Sequence, residues 1–169
     1  ISKGLRAELQ ASRQALREAY LKGRKPAWLL REQARLIDRT LQALWRDYGP
    51  EGGRSAASAL VATGGYGRGE QFPSSDVDVL VLLDSDPSEA ERERLERLVG
   101  LFWDVGLEIG HSVRTVEACI EGARADITVE TSLLEARLIA GSAPLFRKLL
   151  RALDRRLDPA TFLKAKRLE

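Results

Sequence analysis

Apolar residues recur at helical spacing through the first third of the chain. Leu5, Leu9, Leu16, Ala19 and Tyr20 share one face until Gly23-Arg24-Lys25-Pro26 breaks the pattern, which predicts a first helix. Trp28, Leu30, Ala34, Ile37, Leu41, Leu44 and Trp45 form a second stripe that stops at Gly49-Pro50, an expected helix exit. The polar, glycine-rich stretch Glu51 to Ser55 reads as a loop, and Ala59 to Thr63 as a short strand.

In the middle of the chain the pattern changes period. Val77 and Val79 alternate with Asp76 and Asp78, and Leu80-Val81-Leu82-Leu83 is then apolar on both faces. This describes a strand that starts in solvent and runs into a core, with both aspartates on the same side of its exposed mouth. Asp86-Pro87 with Glu89 predicts an N-cap, a proline at the first helical position and an acid in the first turn of a helix whose buried face is Leu95, Leu98, Val99 and Phe102. Leu107 to Thr115 predicts another strand, and Thr115 caps a helix with the stripe Val116, Cys119, Ile120 and Ala123. Residues 126–141 fit helix and strand equally. Ser142 and Pro144 open a helix running from about Leu145 to Leu157, and Asp158-Pro159 opens another.

The segment Gly64-Gly65-Tyr66-Gly67-Arg68-Gly69-Glu70, followed by Phe72-Pro73-Ser74-Ser75 and then Asp76-Val77-Asp78, carries the candidate chemistry. Glycines at 64, 65, 67 and 69 allow positive φ and close approach of backbone N–H groups to phosphate. Two carboxylates facing one space repel each other unless cations lie between them, and Mg²⁺ takes one or two carboxylates while leaving positions for water and phosphate oxygens. The bland alternatives are a tight turn between two strands and an Asp-x-Asp that only caps and decorates a strand start. No Gly-Lys-Ser or Gly-Lys-Thr follows, so this is not a P-loop. A strand follows the glycines where a dinucleotide fold would begin a helix.

Residues 64–78 resemble the signature of the polymerase-β-type nucleotidyltransferases. Within that superfamily the chain is most similar to the bifunctional uridylyltransferase and uridylyl-removing enzymes that modify the PII nitrogen-signalling protein. Trp103-Asp104-Val105-Gly106-Leu107-Glu108-Ile109-Gly110-His111-Ser112-Val113-Arg114-Thr115 and Leu133-Leu134-Glu135-Ala136-Arg137-Leu138-Ile139-Ala140-Gly141 support the narrower likeness. The resemblance implies an α+β, polymerase-β-like fold: a small mixed sheet flanked by helices, with an N-terminal helical segment over 1–50, a nucleotidyltransferase core over 51–141 and C-terminal helices over 142–169. It implies transfer of UMP from UTP to a tyrosine hydroxyl of PII, with release of pyrophosphate, at a site with two Mg²⁺ ions. Family members also carry a phosphohydrolase domain and small-molecule-sensing domains, for which this length leaves no room.

On that reading Asp76 and Asp78 are catalytic metal ligands, and Gly64, Gly65, Arg68 and Ser75 bind nucleotide. Such enzymes present a third carboxylate on a later strand. Glu108, an acid between apolar residues in the predicted strand, fits best on local grounds, with Asp126 and Glu135 as rivals that could equally be a helix cap or an ion-pair partner. A planar guanidinium grips phosphate bidentately, so Arg68, Arg114 and Arg137 are candidate contacts, although the latter two read at least as well as ordinary salt-bridge partners. His111, the single histidine, reads as a hydrogen-bonded structural residue, and Tyr66 as packing over the glycine turn. Other acceptors stay open: an adenylyl- or antibiotic-modifying nucleotidyltransferase would use the same acids, and a nucleotide-binding regulatory module would lack turnover.

Composition adds boundaries to this picture. The 169 residues suit one domain with a real core, and 44% hydrophobic with 31% charged content is ordinary for a soluble globular chain. No apolar run reaches membrane-spanning length and no signal peptide is present, so the cytoplasm is expected. A net charge of +2 with interspersed signs does not call for nucleic acid. Cys119 alone excludes an internal disulfide. A start at Ile1 and the absence of methionine point to a fragment of a longer protein.

Overall fold

A computed structural model describes residues 2–73 and 75–155. The predicted helix opening at Asp158-Pro159, and the end of the one expected to reach Leu157, lie outside the described residues. Helices α1 (Ser2–Leu21) and α2 (Pro26–Tyr48) follow the two apolar stripes, and Pro26 supplies a fixed φ at the start of α2. After a short 3-10 turn over Pro50–Gly53, within the stretch expected to be a loop, the remaining elements are β1 (Ser58–Ala62), the single turn α3 (Gly64–Gly67), β2 (Val77–Leu83), α4 (Glu89–Asp104), β3 (Ile109–Thr115), α5 (Val116–Ala125), α6 (Ile127–Leu134), β4 (Arg137–Gly141) and α7 (Ala143–Asp154).

The four strands form one mixed sheet in the order β3-β2-β1-β4. β1 is antiparallel to β2 and to β4, whereas β2 and β3 are parallel and joined through α4. Alternation along the strands divides the core in two. Leu60, Ala62, Val77, Val79 and Val81 pack with Ile37, Leu41 and Leu44 of α2 and Leu95, Leu98 and Phe102 of α4. Ala59, Val61, Leu80 and Leu82 pack on the other face with Val116, Cys119 and Ala123 of α5 and Leu145, Leu149 and Leu153 of α7. The architecture is therefore α+β with helices on both faces, as the resemblance implies.

Three local expectations change. The N-cap of α4 is Ser88, not Asp86, because Ser88 and Glu91 form a reciprocal capping box in which each satisfies the other's backbone N–H. Residues 126–141 divide into α6 and β4: Asp126 caps α6 by accepting from the Thr128 N–H at 2.8 Å, and Arg137 to Gly141 adds an edge to β1. Thr115 caps α5 as expected, but β3 begins at Ile109, so Glu108 precedes the strand instead of lying within it. Among the described residues no helix is long and apolar enough to cross a membrane.

Ile37 is fully buried where α2 meets the sheet. Ile37→Ala is expected to lower the unfolding free energy by about 2–5 kcal/mol, read from urea denaturation. A loss below about 0.5 kcal/mol, the scale of an ordinary surface substitution, would show that α2 does not anchor this core.

Candidate active site

The glycine turn and the acids occupy one connection between neighbouring antiparallel strands. β1 ends at Ala62, the Thr63 N–H donates to the carbonyl of Asp78 at 3.0 Å, and everything between them loops out at one end of the sheet. Gly64 (φ +55°) turns the chain into α3, and Gly69 (φ +75°) turns it out again, conformations that glycine adopts without steric cost. A helix does begin at the glycines, contrary to the expectation, though it is one turn long. Antiparallel pairing of β1 with β2 is what separates this connection from a dinucleotide-binding crossover. Positive φ occurs at Gly64 and Gly69 but not at Gly65 or Gly67.

A clamp behind the turn fixes it in place. Arg137, opening β4, donates to both carboxylate oxygens of Asp38 on α2 at 2.7 and 3.1 Å, and to the carbonyls of Gly67 and Tyr66 at 3.3 Å each. The Tyr66 hydroxyl donates to the same Asp38, and the Arg137 guanidinium lies 5.4 Å from the centre of the Tyr66 ring. Burial first, and then the charge of Asp38, push the Tyr66 phenol far above its ordinary value, so it remains a hydrogen-bond donor. Arg137 is thus committed to protein groups, and Tyr66 packs as expected. Gly67 is required by closeness rather than by φ: a Cβ there would run into the carbonyl oxygen of Glu135.

On the other side of the loop, Gln71 is buried and ties three backbone segments together. Its backbone N–H donates to the Leu30 carbonyl at 3.3 Å, and its Nε2 donates to the carbonyls of Ser75 (2.7 Å) and Asp76 (3.2 Å). It holds the backbone on which Asp76 stands. Ser75 is exposed beside it.

Asp76 and Asp78 are both exposed at the mouth of β2. Asp78 alternates with Val77 and Val79 and shares its side of β2 with Leu80 and Leu82, so it stands on the sheet face covered by α5 and α7. Desolvation first, and the charge of Asp76 second, raise the Asp78 carboxyl above its ordinary value. Two glycines give this carboxylate its room. A Cβ at Gly110, its partner on β3, would come within 2.5 Å of Asp78 Oδ1, and one at Gly64 would lie 3.4 Å from Oδ2. Neither aspartate is paired with a protein cation among the described residues. Two hard oxygen donors, the charge of one raising the proton affinity of Asp78 and open space around both, fit a divalent cation such as Mg²⁺.

The structure does not bring a third acid to this pair: among the described residues no three His, Cys, Asp or Glu side chains are grouped to hold a metal. The Glu108 carbonyl accepts from the Val77 N–H at 2.8 Å, while its carboxylate interacts with the charge of Arg13 on α1. Asp126 is the cap of α6, and Glu135 forms an ion pair with Arg68 at 2.7 Å. His111 stands exposed on β3 on the opposite sheet face, and among the described residues it lacks the hydrogen bond expected of it. Arg114 has no ion pair among the described residues, also unlike its expectation, although its charge opposes the burial that pushes the Cys119 thiol up to about 11.

Comparison with known proteins accords with this geometry. The nucleotidyltransferase domain family matches residues 53–132. The chain is 48% identical over 97% of its length to the bifunctional uridylyltransferase/uridylyl-removing enzyme of Chromobacterium violaceum, of which it covers 19%. It is 50% identical over 98% of its length to the enzyme of the same name from Cupriavidus pinatubonensis, covering 18%, and 45% identical over 98% of its length to that of Nitrosospira multiformis, covering 19%. The chain therefore spans less than a fifth of the length of these relatives.

Gly67→Ala is expected to cost about 1–3 kcal/mol by forcing the Glu135 carbonyl away from the turn. A thermal-denaturation midpoint equal to that of the parent would show that the backbone at Glu135 yields freely there.

Proposed function

We propose that this chain, which belongs to the nucleotidyltransferase domain family, transfers UMP from UTP to a tyrosine hydroxyl of a PII signalling protein and releases pyrophosphate. The observation that carries the catalytic reading is the pair Asp76 and Asp78, charge-coupled, open and without a protein cation among the described residues, at the end of a strand beside a glycine turn. The choice of UTP is supported by the names of the similar enzymes. PII and its tyrosine rest on the family resemblance, and the cytoplasm is the compartment in which such a donor and acceptor would meet.

In this reading Asp76 and Asp78 would hold Mg²⁺, which when bound would neutralise charge on the triphosphate and acidify the attacking hydroxyl. The chain's own residues set the frame for that chemistry. The N–H groups of Gly64 and Gly65 open a helical turn and have no carbonyl four residues earlier within it, so they are available to phosphate oxygens. Arg68 stands next to them, with its side chain half exposed and paired to Glu135. An exposed pair of this kind is worth only about 0–1 kcal/mol, so a phosphate would compete for Arg68 at little cost. Gly110 and Gly64 keep the Asp78 carboxylate unobstructed, Gln71 fixes the backbone at Asp76, and the Arg137–Asp38–Tyr66 clamp keeps the turn from shifting relative to the acids. Positioning and preorganised charge supply the catalysis, with no side chain needed as a covalent intermediate.

The test is transfer of label from UTP to PII by the full-length protein containing this chain, with Mg²⁺ present. Asp76→Asn and Asp78→Asn are each expected to reduce transfer by at least about a hundredfold with the fold intact by circular dichroism. Retention of parental rates by both variants would remove the two acids from the mechanism. An inactive parent alongside an active control enzyme would overturn the uridylyl-transfer assignment.

A further inference from the structure

Beside the acids lies a cleft of about 270 Å³ whose lining includes Thr63, Ser112, Arg114, Thr128 and Ser132, with Leu80 and Leu133 contributing apolar surface. Its rim approaches Asp78 across Gly64: a Cβ placed on Gly64 would lie 3.4 Å from Asp78 Oδ2 and 3.7 Å from the Ser132 hydroxyl. Register explains why the two share a side. Gly110 pairs with Asp78, Ser112 with Leu80 and Arg114 with Leu82, so Asp78, Ser112 and Arg114 line up on the same sheet face. Arg114 stands about 13 Å along β3 from Gly110.

Arg114 is half-buried and has no ion pair or hydrogen bond among the described residues. A partly desolvated guanidinium without a counter-anion is unfavourable, whereas Arg68 and Arg137, the arginines at the glycine turn, are engaged by Glu135 and Asp38. The neighbouring helix makes room for Arg114. Gly122 lies in the interior of α5, where glycine is unfavourable relative to alanine, and a Cβ there would come within 2.5 Å of Arg114 Nη1 and 3.4 Å of Val129 Cγ1. The helix forgoes a better residue at the position over which the guanidinium rests.

We propose that Arg114 is a substrate-binding residue whose guanidinium grips phosphate oxygens of the nucleoside triphosphate donor lying in this cleft, with Gly122 setting its position. This deepens the nucleotidyl-transfer reading and rests on it. A planar fork of N–H donors suits phosphate, and the hydroxyls of Ser112 and Ser132, which make no hydrogen bond among the described residues, line the same cleft as further donors.

The experiment measures binding of UTP and of uridine, with Mg²⁺, to the full-length protein and to its Arg114→Gln, Arg114→Lys and Gly122→Ala variants, alongside transfer of label by the parent. Arg114→Gln is expected to weaken UTP binding by about tenfold or more, the scale of a lost charge-assisted contact, while uridine binding stays within about twofold. Arg114→Lys should recover part of the loss. Gly122→Ala should weaken UTP binding without lowering the melting temperature, a combination that a purely structural role for Gly122 does not produce. Unchanged UTP affinity in both Arg114→Gln and Gly122→Ala overturns the proposal, as does an equal loss for UTP and uridine. A parent that binds UTP with the expected dependence on Arg114 but transfers nothing would instead overturn the catalytic reading and leave the phosphate contact standing.

Discussion

Asp38 and Arg137 are 99 residues apart in sequence and joined by two hydrogen bonds in space. Through this pair the second helix, the start of the last strand and the glycine turn become one rigid assembly, because Arg137 also reaches the carbonyls of Tyr66 and Gly67 and Asp38 also accepts from the Tyr66 hydroxyl. Each partner is partly withdrawn from water, so the geometry must be good for the pair to be favourable, and the extra hydrogen bonds satisfy what the carboxylate and guanidinium would otherwise lack. A turn rich in glycine has few side chains with which to hold itself. Its shape is imposed from behind by a polar network rather than from within.

The front of the turn is built the opposite way. Around Asp78 the chain removes atoms: Gly64 and Gly110 have no Cβ where one would press against the carboxylate. Asp76 and Asp78 are left with each other's charge and, among the described residues, no protein counter-ion. The back of the site is thus crowded and satisfied, and the front is open and electrostatically unsatisfied, which is the division expected where a charged ligand supplies the missing partners.

Features that depend on near neighbours along the chain are legible in the sequence. Periodicity marks both long helices and the aspartate strand, since 3.6- and 2-residue spacings follow from local geometry. The cap of α4 is harder to read, because Asp86 and Ser88 are both good capping residues; the decisive signal is Glu91, three residues after Ser88. The β-branched run Ile127-Thr128-Val129 looks strand-like, yet an Asp126 cap and burial of Leu133 hold it in a helix. Asp38 carries no such local signal, as it is one polar position among many on α2 and its role comes from a strand 99 residues further on. The place of Glu108 is hard to read for a related reason: alternation puts it inside a strand, but β3 starts one residue later and the charge of Arg13 arrives from a distant helix.

Strand order carries a last consequence, for motion. The glycine turn and both aspartates hang from β1 and β2, the two central strands, whereas Arg114 hangs from β3, at an edge. Exposing the backbone of Asp78, within β2, requires separating strands buried on both faces, an event close to global unfolding, while an edge strand can detach at smaller free energy. Amide exchange would therefore run on two clocks, slow along β2 beyond Asp78 and faster along the wall of the cleft. Ligand capture can then involve local breathing at the Arg114 end of β3, while the Gly110 end stays paired with Asp78.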